Sequence, residues 1–130
     1  AIMAAPTMSQ YAGTMALKNG ASDVEMMRDS YNQRRRYLMA ELKRLGIPCF
    51  EPFGAFYIFP NISQFGLSSE EFATRLIREH KVAVVPGSAF GQSGEGFVRV
   101  SYAYSIDELK QAFERIEHFI TELRAEQGGK

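Results

Sequence analysis

The stretch Gly94-Glu95-Gly96-Phe97-Val98-Arg99-Val100-Ser101-Tyr102-Ala103 decides how the chain is read. Glycines open it and β-formers fill it, which predicts a strand over residues 97–101. In a strand, successive side chains alternate between faces. Val98, Val100 and Tyr102 then share one face, and Phe97, Arg99 and Ser101 share the other. The two valines mark the core side, against helices. Arg99 points away from those helices, toward solvent or toward something outside this chain. A guanidinium is always charged, and its planar fork matches a carboxylate with two parallel hydrogen bonds. Spacing alone leaves two readings open: an edge-strand cation or a carboxylate hook.

Working outward, three further segments read as strands. Residues 48–51 form a short one. Residues 55–59 (AFYIF) are bounded by Gly54 and Pro60, and 82–85 (VAVV) is apolar on both faces, which suits an interior strand. Helices surround them. Ser22-Asp23-Val24-Glu25, Ser68-Ser69-Glu70-Glu71 and Ser105-Ile106-Asp107-Glu108 each place a serine three residues before a glutamate, the spacing of a capping box. The first of these helices is expected to run to about Leu45 and stop at Gly46, with Val24, Met27, Tyr31, Leu38, Leu42 and Leu45 near one face. The second spans about 69–79, with Phe72, Leu76 and Ile77 inward. The last carries one apolar stripe of Ile106, Leu109, Phe113, Ile116, Phe119, Ile120 and Leu123. An earlier helix within 3–18 closes at Asn19-Gly20, a pair able to turn the chain through positive φ. The order predicts an α+β fold: a small, mostly antiparallel sheet with helices packed on one side, preceded by a linking helix.

Composition narrows the function. The chain has 130 residues, enough for one core, and its 15 basic residues balance its 15 acidic ones. Zero net charge and the lack of a basic aromatic strand speak against nucleic acid. No apolar run approaches the roughly 20 residues that span a bilayer, so no membrane partner is expected. Cys49 is the single cysteine, which excludes an intrachain disulfide and reads as a small buried apolar residue in a reducing, cytoplasmic compartment. The start at Ala1, inside what reads as packed structure, suggests a piece of a longer protein. Residues 1–20 are expected to be a linking segment, 21–125 the small domain and 126–130 a flexible tail.

Most catalytic constellations are missing. His80 and His118 lie on different helices without ligand spacing, so no metal is expected. Ser88 sits in Gly87-Ser88-Ala89-Phe90-Gly91, which is not a nucleophile elbow. The glycine-rich loop 91–96 precedes a strand and offers an anion no helix N-terminus. Arg34-Arg35-Arg36 point in three directions around a helix and read as surface.

Gly54-Ala55-Phe56-Tyr57, Val85-Pro86-Gly87-Ser88-Ala89-Phe90-Gly91 and Gly96-Phe97-Val98-Arg99-Val100-Ser101-Tyr102-Ala103 form an ordered set. Together they resemble the C-terminal small domain of fold-type I, pyridoxal-phosphate-dependent aminotransferases of class I/II, the aspartate and aromatic group. Ala5-Pro6-Thr7-Met8-Ser9-Gln10-Tyr11-Ala12 is similar to the segment linking that family's large and small domains. The resemblance implies that Arg99 binds the substrate's α-carboxylate and that the 86–91 loop lies near the substrate entrance. It implies that residues near 5–7 approach a partner subunit's site in a homodimer, and that Gly54 and Tyr57 are structural. The cofactor implied is pyridoxal 5'-phosphate, and the substrates are an amino acid and a 2-oxo acid. The family's Schiff-base lysine and cofactor-binding residues lie upstream, and Lys18, Lys43, Lys81, Lys110 and Lys130 match none of them. No catalytic or cofactor-binding residue is therefore expected here, and the chain alone is expected to be inactive. A related lyase or decarboxylase, or a stand-alone α+β regulatory module for a small ligand, remain alternatives.

Overall fold

A computed structural model describes residues 3–129, so Ala1 and Ile2 of the opening segment and Lys130 of the polar tail lie outside it. The chain forms two units, Ala1–Gln33 and Arg34–Lys130.

The first unit holds helix α1, Thr7–Asn19, and the start of helix α2, Ala21–Arg44. Gly20 joins them with φ −89° and ψ 9°, not the positive φ expected from Asn19-Gly20. Its N–H donates to Ala16 O at 2.8 Å, and its carbonyl accepts from the Val24 N–H at 3.1 Å. Glycine is needed here for space, because a Cβ would stand 2.6 Å from the Ala16 carbonyl oxygen. The same geometry removes the expected capping box at Ser22. A box satisfies N–H groups left free at a helix start, but Ser22 lies inside α2 and the Val24 N–H is already bonded to Gly20. Helix α1 buries no residue within its unit, and Met8, Tyr11, Met15, Leu17, Val24 and Met27 are exposed.

In the second unit, α2 ends as its sequence predicts. Gly46 takes φ +69°, its N–H bonds Lys43 O, and the Ile47 N–H reaches back to Leu42 O. That is a Schellman closure, with its apolar contact between two buried residues, Leu42 and Ile47. Helix α3, Ser69–His80, is capped by the Ser68 side chain, which accepts from the Glu71 N–H. Helix α4, Ile106–Gly128, starts on a complete capping box between Ser105 and Glu108. It continues through Glu126 and Gln127 of the expected tail. Arg75 donates to both Glu126 oxygens, at 2.8 and 3.1 Å, which fastens those turns to α3.

Three strands form one antiparallel sheet in the order β1-β3-β2: β1 Tyr57–Ile58, β2 Val85–Pro86 and β3 Val98–Ser101. Strand β3 is central, so Arg99 is not on an edge. The 82–85 run is not interior: only Val85 and Pro86 pair, at an edge, and proline has no N–H to extend the ladder. The expected strand at 48–51 shrinks to a single bridge between Cys49 and Pro60. Within 55–59 only Tyr57 and Ile58 pair, since Ala55 has φ +60° and leaves extended geometry. Val98 and Val100 face Leu42, Phe72, Leu76, Phe113 and Ile116, so α2, α3 and α4 cover one side of the sheet. Leu38, Phe72, Leu76, Phe113, Phe119 and Ile120 are each at most 2% exposed, and burying each contributes about 1.5–3 kcal/mol. Ile77, expected inward, is exposed, because α3 presents Phe72, Ala73 and Leu76 to α4 instead.

Candidate functional site

The uncovered face of β3 carries Arg99 between two aromatic side chains. Its guanidinium carbon lies 4.2 Å from the centre of the Tyr57 ring and 4.8 Å from that of Phe90. Tyr57 arrives on β1, where it pairs with Ser101. Phe90 arrives at the end of a 3₁₀ turn, Gly87–Phe90, and its ring meets Phe59 edge-on at 5.5 Å. Arg99 is half-buried. Among the described residues it has no carboxylate or other hydrogen-bond partner. Two other half-buried arginines differ: Arg35 meets Glu51, and Arg75 meets Glu79 and Glu126. Arg99 is thus an ordered cation whose N–H groups are available.

The loop beside it is fastened from below. Gly87 and Gly94 touch backbone to backbone, and a Cβ on either would collide with the other's carbonyl oxygen. The Gly87 N–H donates to Phe97 O at 2.9 Å. Ser69, fully buried at the start of α3, donates its hydroxyl to Glu95 at 2.8 Å and accepts from the Ser88 N–H at 3.3 Å. The Ser69 backbone N–H also donates to Glu95, at 2.7 Å. That N–H, then the hydroxyl, hold the Glu95 carboxyl below the usual carboxylate range. The glycine-rich loop therefore works as a folded support. The N–H groups of Gly91, Gly94, Glu95 and Phe97 bond to carbonyls within the loop, so they form no cradle for a phosphate.

Other candidates lie elsewhere. Cys49 is half-buried, and burial pushes its thiol pKa up. His80 Nε2 sits 2.9 Å from Glu122, and Glu79, His80 and Glu122 bring ligand atoms within 4.8 Å of one another. Sequence spacing missed that group because Glu122 lies on another helix. Glu79 already pairs with Arg75 within α3, and His80 meets Glu122 of α4, so these groups are engaged in contacts along and between the helices. Two open grooves, of about 380 Å³ beside Tyr104 and Leu109 and about 410 Å³ beside Met39 and Cys49, do not include Arg99. Sequence reasoning placed Arg99 on the open face but did not foresee the contacts of Tyr57 and Phe90 with it or of Glu95 with Ser69. Tyr57 was findable, since an antiparallel partner strand must run beside β3. Phe90 and Glu95 carry no periodic signal.

Comparison with known proteins shows the family. A family model described as aminotransferase class I and II matches residues 1–116. Aromatic-amino-acid aminotransferase 2 of Thermococcus litoralis is 49% identical over 118 residues, covering 89% of this chain and 30% of that protein. An aspartate aminotransferase of Pyrococcus abyssi is 48% identical over 118 residues, again covering 89% of this chain and 30% of the relative. The crystal structure of an aromatic aminotransferase from Pyrococcus horikoshii OT3 superposes with a TM-score of 0.86 at 46% identity, over 88% of this chain and 31% of that one. The chain spans under a third of the length of the relatives it matches.

Proposed function

Since the chain belongs to the class I and II aminotransferases, we propose that it is the C-terminal part of a longer pyridoxal-phosphate enzyme in which Arg99 receives the substrate's α-carboxylate. The enzyme would move an amino group from an amino acid to a 2-oxo acid, as a cytoplasmic homodimer. One observation supports the assignment to Arg99 most: a half-buried guanidinium on the central strand, ordered by aromatic rings, with no acid of its own among the described residues. Such a group pairs with a carboxylate through two parallel, charge-assisted hydrogen bonds. Binding there fixes the direction of the Cα bonds, which is positioning and not proton transfer.

The described residues do not fit the cofactor itself. Lys81 donates to Arg78 O, Lys110 pairs with Asp107, and the N–H groups of Gly91, Gly94, Glu95 and Phe97 are bonded internally. Pyridoxal phosphate supplies an electron sink when bound, and among the described residues no group is placed to join that chemistry. On this reading the isolated chain does not transaminate. Its part is to present Arg99, with the 86–91 loop at the substrate entrance.

The test uses the full-length protein that carries this chain. Its visible spectrum is recorded, it is reduced with borohydride, and the modified residue is mapped. The expected result is a coloured protein labelled on a lysine outside this chain. A colourless, unlabelled protein, or a label on Lys18, Lys43, Lys81, Lys110 or Lys130, would contradict the proposal.

A further inference from the structure

We propose that Tyr57 and Phe90 are positioning residues for Arg99, ordering its guanidinium while leaving its hydrogen-bonding fork free. The inference rests on the reading of Arg99 as the carboxylate-binding group.

An arginine side chain is long and flexible, so a useful binding fork must be held before the ligand arrives. A neighbouring carboxylate would hold it but would occupy the N–H donors that substrate needs. An aromatic face attracts the cation through its ring quadrupole, and it takes up none of those in-plane donors. The Arg99 environment has this form: two rings at 4.2 and 4.8 Å, and no acid partner among the described residues.

The structure also explains how the rings are placed. Tyr57 is set by its pairing with Ser101, two residues from Arg99 on the same face of β3. Phe90 is 47% exposed, so apolar burial does not fix it. Its position comes from the turn beneath it, through the Gly87 N–H to Phe97 O, the Ser88 N–H to Ser69, and the backbone contact of Gly87 with Gly94. Phe59 supports the ring from its edge. A fastened loop that ends in an exposed ring beside an unpaired cation makes sense as a clamp on that cation.

The test is made in the full-length protein, with L-aspartate and L-phenylalanine as amino donors and phenethylamine as a donor without a carboxylate. Tyr57→Leu and Phe90→Leu should each raise KM for the amino acids roughly 2- to 30-fold and lower kcat/KM by at least that factor. Tyr57→Phe and Phe90→Tyr keep a ring and should restore the wild-type KM. Reaction with phenethylamine should not respond, and Phe90→Leu should add nothing in an Arg99→Leu background. Should the leucine variants fail to accumulate, phenylalanine fluorinated on the ring at position 90 keeps the shape and weakens the quadrupole. KM should then rise with each added fluorine. Unchanged KM in the leucine or fluorinated proteins, while Arg99→Leu does weaken binding, overturns the clamp and leaves the carboxylate reading standing. Unchanged KM in Arg99→Leu itself overturns both.

Discussion

Replacing Gly87 with alanine should dislodge the loop that supports Arg99. A Cβ at position 87 would collide with the Gly94 carbonyl oxygen and stand 2.6 Å from Phe97 O and 2.8 Å from the Gly94 carbonyl carbon. All three are backbone atoms, so no change of rotamer relieves the contact. The chain must separate there, which loses the Gly87 N–H bond to Phe97 O. Overpacking of this kind costs about 1–3 kcal/mol, and the hydrogen bond adds about 1 kcal/mol. A total of about 3 kcal/mol, at a urea slope of roughly 1.5 kcal/mol per molar, lowers the unfolding midpoint by about 2 M. Gly13→Ala is the matched control. It lies inside α1 with nothing within 4 Å of its would-be Cβ, and the same substitution there should stabilise by up to about 1 kcal/mol. Urea unfolding followed by circular dichroism reads both. A Gly87→Ala midpoint no lower than that of Gly13→Ala would refute the backbone contact as the loop's fastening.

Three further outcomes follow from the same packing. Phe119 is fully buried against Phe72 and His80, so Phe119→Ala should cost about 3–5 kcal/mol in chemical denaturation. Ser105 accepts from the Glu108 N–H at the start of α4, and Ser105→Ala should cost about 1 kcal/mol; no change in thermal midpoint would contradict the cap. The Glu95 carboxyl is depressed by the N–H and hydroxyl of Ser69, so its stabilisation is present above the ordinary carboxylate pKa of about 4.3 and is lost as pH falls through the depressed value. The protection factors of the Ser69 and Ser88 amides, taken relative to intrinsic exchange at each pH, should therefore fall on acidification through that window. Glu95→Gln should flatten the dependence, and an equal acid response in that variant would count against the network.

How much of this was legible in the sequence depended on range. Signals that act within one turn were read correctly: the caps at Ser68 and Ser105, the Gly46 stop and the apolar stripe of α4. Ser22 carried the same local signal and did not cap, because α2 starts earlier, at Ala21, and the Gly20 carbonyl before it already takes the Val24 N–H. The strand at 82–85 was over-read for a related reason. Apolar composition marks burial, but pairing needs a partner strand and N–H groups, and Pro86 has none. Arg99 could be placed on the open face by alternation alone. Its aromatic neighbours come from residues 57 and 90, and bringing those three together is a property of the β1-β3-β2 order. The support beneath Phe90 is less visible still, because Gly87 and Gly94 meet through backbone atoms that leave no pattern in side-chain chemistry.

The most direct test of the central claim is the kcat/KM of Arg99→Leu, in the full-length protein carrying this chain, for L-aspartate and L-phenylalanine compared with phenethylamine. Removing one partner of a hydrogen-bonded charge pair costs about 2–5 kcal/mol, so kcat/KM for the amino acids should fall at least about 30-fold. The value for the amine, which has no carboxylate to lose, should hold. Equal kcat/KM in wild type and Arg99→Leu for both amino acids would show that the unpaired arginine of β3 is not the carboxylate site.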